Sequence, residues 1–203
     1  MRDYSAINGT IECGPVPSGR ALILLSGKRL RRISRRCAPI FALRPMTWAA
    51  GLSALIIVST MLPLVLSEDR FLPRSVIEQA LGVAIALITL VGHELGHAAA
   101  ASRYGHLPLR IGLTLHRRVL PAMFADIWRR GSSNRNQIIA MALAGCTAQL
   151  LLAAFLCLLI LVFPSAIGAL SVAVLATVGL TFAQLIPCYG SDGEIAIASF
   201  RNN

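Results

Sequence analysis

Four long apolar runs, separated by polar segments, dominate the hydrophobic pattern of the chain. They cover residues 46–66, 76–101, 137–163 and 165–186. The second run is interrupted only by Glu78, Gln79 and a polar cluster near its end. Because a helix crosses a hydrocarbon core of about 30 Å with roughly 20 residues, each run is long enough to span a membrane. We therefore predict an all-α fold, a polytopic membrane helical bundle of about four transmembrane helices that occupies residues 46–203.

The composition also indicates a membrane protein. Hydrophobic residues make up 56% of the 203 residues and charged residues 14%, whereas a soluble domain is usually about 25% charged. The net charge of +10 does not indicate nucleic-acid binding, because no basic patch is interleaved with aromatic residues and no Gly-rich phosphate loop is present. None of the five cysteines belongs to a Cys-x-x-Cys pair, so we expect reduced, structural thiols.

The distribution of lysine and arginine predicts the orientation of the spans. These residues crowd into a basic N-terminal segment, residues 1–45, and into the loop at 102–136, whereas segment 67–75 carries only Arg70 and Arg74 beside two acidic residues. Positive residues favour the cytoplasmic side of a membrane. We therefore expect an integral multi-pass protein, with the lipid bilayer as a partner and with a cytoplasmic N-terminus, 102–136 loop and C-terminus. The first run starts too far into the chain to be a cleaved signal peptide.

The two basic segments each have two interpretations. Near the N-terminus, the apolar residues 21–25 and 30–33 could pair as a short hairpin with Gly27 in its turn, or the segment could be a disordered leader on anionic lipid. In the loop between the second and third spans, the alternating run Ile111–Leu115 predicts a short β element with an exposed strand edge. The alternative there is a loop on the membrane surface.

The second span ends with the residues that carry chemistry, His93-Glu94-Leu95-Gly96-His97. Ionisable residues at membrane depth are costly, and they therefore indicate a functional site. At 3.6 residues per turn, His93 and His97 lie on nearly the same helix face, so both imidazoles can reach one zinc ion. Glu94 then lies beside the metal, where it can take a proton from water as the catalytic base. The alternative is a chance match on a helix that faces a polar cavity.

A catalytic zinc ion usually has three protein ligands, so a third must come from elsewhere in the chain. Asp192 is the leading candidate, because the second and fourth spans cross in the same direction and end at the same membrane face. Glu194 is the runner-up and Cys188 a distant third, while an ordinary turn aspartate is the alternative for Asp192. A proline and two glycines around Asp192 predict a tight turn there. His106 and His116 are expected to be surface histidines.

These residues resemble the site-2 protease family of intramembrane zinc metalloproteases. The resemblance covers about residues 76–195 and includes the stretch Ala144–Leu150, which is similar to the family's Ala-Gly-Pro-x-x-Asn-Leu. It implies a three-helix catalytic core, zinc on the two histidines and Asp192, and hydrolysis of a peptide bond near the cytoplasmic face. The substrate would be a membrane-associated protein or a leader peptide. Residues 121–126 resemble bacterial members linked to peptide maturation, which implies a bacterial inner membrane and peptide-export machinery as partner.

The chain departs from the family pattern at three positions. Gln149 and Gln184 stand where the family usually has asparagine, and Cys146 stands where it usually has proline. We expect the two glutamines to bind substrate, and the alternative is interhelical hydrogen bonding. The two glutamines are compatible with a second functional hypothesis, a non-catalytic membrane accessory or zinc-binding regulator of peptide export, whereas the intact Glu94 argues against it. Zinc transport ranks third, because the sequence shows no second polar pathway across the spans.

Overall fold

A computed structural model of the chain describes residues 10–13, 21–67, 73, 75–116, 120–128, 132–188 and 191–201. Its strands are β1 Thr10–Cys13, β2 Leu22–Ser26, β3 Leu107–His116 and β4 Leu120–Trp128. Its α-helices are α1 Gly27–Cys37, α2 Leu43–Leu66, α3 Val76–Arg103, α4 Arg135–Val162, α5 Ile167–Leu185 and α6 Asp192–Arg201. Two short 3-10 helices, Ala38–Phe41 and Pro164–Ala166, precede α2 and α5.

The four predicted spans are confirmed as helices α2, α3, α4 and α5, and their ends differ from the predicted ones by a few residues. By length and composition, all four are apolar enough to cross a membrane. Large apolar side chains on the outside of α2, such as Trp48, Leu55 and Leu62, are exposed. Such a surface is unfavourable in water and suits contact with lipid. The structure therefore agrees with the predicted all-α membrane bundle and with a multi-pass membrane protein.

Three of the spans form the centre of the bundle. Helices α3, α4 and α5 each pack on the other two, and α2 packs on the outside of α4. The ends of the long helices are defined by capping groups: Ser75 Oγ accepts from Glu78 N at the start of α3. Asn134 and Gln137 cap α4 reciprocally. Such caps satisfy backbone N–H groups that have no partner within a helix.

The predicted β element between α3 and α4 is confirmed, but it belongs to a larger sheet. The antiparallel sheet has the strand order β1-β4-β3-β2. The prediction that Ile111–Leu115 forms an exposed edge is wrong, because β3 pairs with β4 on one side and with β2 on the other. Ile111 and Ile127 pack in one buried cluster with the alanines at the end of α3. This packing attaches the sheet to the helix that carries the histidine pair.

The N-terminal segment contains one strand and one helix instead of a hairpin. Residues 22–26 form β2 as an edge strand of the sheet, but residues 30–33 lie in α1, so the predicted hairpin is wrong. Gly27 starts α1 with a φ of 60°, a conformation that glycine adopts without strain and other residues rarely adopt. Leu30 and Ser34 are buried where α1 packs on α3 and β3. The alternative of a disordered leader does not hold for residues 21–45, which are folded in the structure.

Candidate metal centre

The two histidines lie on one face of α3, as the spacing predicts. His93 and His97 are one helical turn apart, and their Nε2 atoms are 3.0 Å from each other. The two rings meet edge to face, with centroids 4.7 Å apart. Both side chains are buried. The helix therefore presents two imidazole nitrogens to one point inside the protein.

Asp192 reaches this point from the other end of the chain. Its Oδ2 lies 3.1 Å from His93 Nε2, and its Oδ1 lies 3.4 Å from His97 Nε2. A turn precedes Asp192, as predicted, because Ser191 N donates to the Cys188 carbonyl at 2.9 Å. Asp192 itself starts α6. Ser191 caps this helix, since its Oγ accepts from Glu194 N at 3.1 Å. The Asp192 carboxylate is therefore directed to the histidines and is not the turn-capping group of the alternative interpretation.

The outer nitrogen of each imidazole donates a hydrogen bond to a protein oxygen. His93 Nδ1 donates to Gln149 Oε1 at 3.0 Å, and His97 Nδ1 donates to the Met141 carbonyl at 2.7 Å. Such bonds fix the ring orientation and leave the proton on Nδ1. The two Nε2 atoms that face Asp192 are then free to bind a cation through their lone pairs.

The spacing of the three donor groups fits a small metal ion. Zinc bonds of about 2.0–2.1 Å at tetrahedral angles would place neighbouring donor atoms about 3.3 Å apart. The two Nε2 atoms are 3.0 Å apart, and each lies 3.1 or 3.4 Å from a different oxygen of the Asp192 carboxylate. Two lone pairs and a carboxylate packed this closely would repel one another without a cation or a proton between them. Among the described residues, His93, His97 and Asp192 form a group that could hold a metal ion.

Small residues on α4 leave room for this centre. A Cβ atom at Gly145 would lie 2.5 Å from His97 Nε2 and 2.6 Å from His93 Nε2. These separations are far below a van der Waals contact, so any side chain at Gly145 would displace the imidazoles. Gly96 of α3 packs against the backbone of Ala144 and the methyl group of Ala148. Close approach of the two helices at these glycines is what brings the α4 hydrogen-bond acceptors within reach of the histidines.

Glu94 lies beside the centre without joining it. It is buried, and its Oε2 has no hydrogen-bond partner among the described groups. An unpaired buried carboxylate oxygen is costly, and such a group is therefore expected to serve a function. Burial raises the pKa of Asp192, but His97 and His93, when protonated in the absence of a metal ion, outweigh burial through their charge and hydrogen bonds and hold that pKa well below its usual range. Asp192 is thus a carboxylate, as a metal ligand must be.

The two glutamines differ in their surroundings. Gln149 is fully buried, and its Oε1 accepts both from His93 and from Thr181 Oγ1, the latter at 3.3 Å. This is the interhelical hydrogen bonding of the alternative interpretation, and Gln149 Nε2 has no partner among the described groups. Gln184 is half-buried and makes no hydrogen bond with a described residue. Substrate binding by either glutamine stays a prediction.

A row of buried hydroxyl groups continues from Gln149 into the bundle. Thr181 Oγ1 also donates to the Thr177 carbonyl at 2.9 Å, and Thr177 Oγ1 lies 3.4 Å from Thr89 Oγ1. These contacts do not test whether a second polar pathway crosses the spans, so its absence stays a prediction. Among the described residues, the row adds no carboxylate or imidazole to the group formed by His93, His97 and Asp192.

The remaining candidate residues lie outside the group of three. Cys146 Sγ is 3.7 Å from Asp192 Oδ2, and Cys188 is exposed. The expectation of a surface position is wrong for His106, which is buried and bonded to Ser133 Oγ at 2.8 Å. The side chain of His116 lies outside the described ones. The four cysteines whose side chains are described are free thiols.

Sequence reasoning named Gln149 but not its contact with His93, and it missed the other groups that shape the centre, the Met141 carbonyl and Gly145. The Met141 carbonyl gives no sequence signal at all, since any residue has one. The signal for Gly145 and Gln149 is their spacing of four, which places them on one face of α4.

Comparisons of the chain with protein-family models, with curated proteins and with solved structures found no match.

Proposed function

We propose that the chain is an intramembrane zinc metalloprotease of the site-2 protease type. The observation that carries the proposal is the convergence of His93, His97 and Asp192 beside Glu94, a buried carboxylate with an unpaired oxygen. Three protein ligands and an adjacent base are the set that metal-dependent hydrolysis requires. A pure binding site has no use for a base at this position.

Each residue of the site would have a separate role in peptide-bond hydrolysis. Zinc, when bound, supplies Lewis acidity to water and to the scissile carbonyl. Glu94 takes a proton from the attacking water and passes it to the leaving amine. Gln149 and the Met141 carbonyl hold the imidazoles in orientation through their Nδ1 protons. The apolar walls of the bundle exclude bulk water, which strengthens each of these electrostatic interactions.

An exposed sheet edge supports an extended peptide as substrate. Strand β2 is the last strand of the sheet, and Leu22, Ile23 and Leu24 on it are exposed. A peptide that adds to such an edge is held in extended form with its backbone unwound, as proteolysis requires. We propose a membrane-associated protein or a leader peptide as the substrate. Cleavage would occur near the cytoplasmic face of a bacterial inner membrane, and the N-terminus of the protein would also be cytoplasmic.

The test compares the parent protein with Glu94→Gln. The full chain would be reconstituted with candidate single-span or leader-peptide substrates, and products would be identified by mass spectrometry. Glutamine keeps the shape but cannot take the proton, so cleavage should fall by about 10²–10⁴-fold while metal content is kept. Glu78→Gln is the matched control, because Glu78 lies about 24 Å away along the same helix. Equal cleavage by Glu94→Gln and by the parent would contradict the proposal.

A second candidate is a zinc-binding regulator or accessory of peptide export without catalysis. The observation that favours it is burial: His93, Glu94, His97 and Asp192 are between 1% and 7% exposed, so a substrate reaches them only after the helices separate. In that case the parent binds zinc but cleaves no candidate substrate. Metal binding combined with binding of uncleaved export components would then support the regulator.

A further inference from the structure

Helix α1 carries a basic face that forms no ion pair with a described residue. Lys28, Arg31, Arg32, Arg35 and Arg36 line one open cleft on this face, with a volume of about 440 Å³. Several of these cations are four residues apart, a spacing at which like charges on a helix repel. Among the described side chains, no carboxylate lies within ion-pair distance of any of them. Arg31 Nε is buried and has no hydrogen-bond partner among the described groups. Among the described residues, the face therefore has no negative charge to balance it, and it would bind one favourably.

The basic face continues into a second cleft where α1 meets the membrane spans. Arg35 lines both clefts, and the second also contains Ser102 and Arg103 from the end of α3. Its volume is about 640 Å³, and its remaining walls are apolar, formed by residues such as Pro39 and Pro45. Two guanidinium groups, one hydroxyl and an apolar wall match a phosphate ester that carries a hydrocarbon part.

The position of the second cleft identifies the source of the phosphate. The cleft lies at the start of α2, the first helix that could cross a membrane. Near it, Ile40 is exposed, and Trp48 in the second turn of α2 is 81% exposed. Tryptophan is enriched where membrane proteins cross the lipid–water interface. A cationic cleft at this level faces lipid headgroups, whereas a soluble anion would have no use for its apolar wall.

We propose that the basic face of α1 and the adjoining cleft bind the phosphate groups of anionic lipids. The bound lipids would neutralise α1 and hold it against α3, on which Leu30 and Ser34 of α1 pack. Because α1 follows β2 directly and α3 carries the histidine pair, these lipids would also fix the sheet edge relative to the metal centre. The proposal does not depend on proteolysis.

The test measures lipid selectivity of the full chain. The protein would be reconstituted in nanodiscs of equal parts phosphatidylcholine and phosphatidylglycerol, and retained lipids would be counted by native mass spectrometry after detergent extraction. Each cation near an anionic surface raises affinity by about fivefold. Loss of two cations in Arg32→Gln/Arg35→Gln should therefore lower the ratio of retained phosphatidylglycerol to retained phosphatidylcholine by about 30-fold. Both side chains are exposed, so folding should survive, and circular dichroism would check it.

Arg32→Lys/Arg35→Lys is the matched control, because it keeps the charge and should keep the preference. Three outcomes would overturn the proposal. The first is an unchanged preference in the glutamine variant, and the second is an equal loss in the lysine variant. The third is complete displacement of phosphatidylglycerol by inorganic phosphate or by an acidic peptide, which would assign the clefts to a soluble anion or to a protein partner.

Discussion

Replacing Gln149 by leucine tests how the histidine pair is prepared for metal binding. Gln149 Oε1 accepts the Nδ1 proton of His93 at 3.0 Å, and the glutamine side chain is fully buried. Leucine has a similar size and cannot accept a hydrogen bond. The variant would therefore leave the His93 N–H without a partner in an apolar interior, and the ring would lose its fixed orientation.

Two independent estimates give the size of the effect. Loss of the group that orients a metal-ligating histidine typically weakens metal binding by about 10–100-fold, which corresponds to about 1.4–2.8 kcal/mol. A buried donor left without its acceptor costs about 1–3 kcal/mol. Thr181 adds little to this cost, because its hydroxyl group also donates to the Thr177 carbonyl at 2.9 Å. We expect weaker metal binding in a bundle that still folds.

The assay is chelator competition on the purified full chain in detergent, with metal release followed spectroscopically. Gln184→Leu is the matched control, because Gln184 is half-buried and makes no hydrogen bond with a described residue. Gln149→Glu should restore binding, since a carboxylate also accepts the His93 proton. Parent-like affinity in Gln149→Leu, or an equal loss in Gln184→Leu, would refute the role assigned to Gln149.

Two further predictions address the space around the centre and the orientation of the spans. Gly145→Ala should abolish metal binding, because its Cβ would lie 2.5–2.6 Å from the Nε2 atoms of His97 and His93. Metal analysis checks this. Gly179→Ala is the control and should bind metal normally, because a Cβ at Gly179 would have no described atom within 4 Å. Reporter fusions after residue 45, within segment 67–75 and after residue 130 should read inside, outside and inside, because positive residues stay cytoplasmic. An outside reading after residue 130 would contradict the proposed orientation.

The helical part of the fold could be predicted from the sequence because its signals are local. An apolar run of about 20 residues has few other stable structures available to it. The spacing of His93 and His97 fixes their common helix face by geometry alone. Asp192 is different, because its position depends on the packing of α6. From the sequence, only the common direction of the second and fourth spans indicated that it lies near the histidines.

The N-terminal segment and the sheet could not be predicted in the same way. The hairpin prediction places residues 30–33 in a strand, although their apolar residues, Leu30 and Ile33, are three apart, a spacing that fits one face of a helix. In the structure they are helical, and Leu30 packs on α3 and β3. Ile111 reads as an edge position until β2, which is far away in sequence, pairs with β3. For Ile111, a long-range contact therefore decides what the local pattern leaves open. The hydrogen bonds from the Nδ1 atoms of His93 and His97 likewise depend on how closely α3 and α4 approach each other.

Metal analysis of the purified full chain tests the central claim most directly. The parent protein should contain about one zinc ion per chain, as a set of three protein ligands predicts. His93→Ala, His97→Ala and Asp192→Ala should each lose the metal, while Glu194→Ala should keep it. Undiminished zinc in Asp192→Ala, or loss of zinc in Glu194→Ala alone, would contradict the assignment of the three ligands.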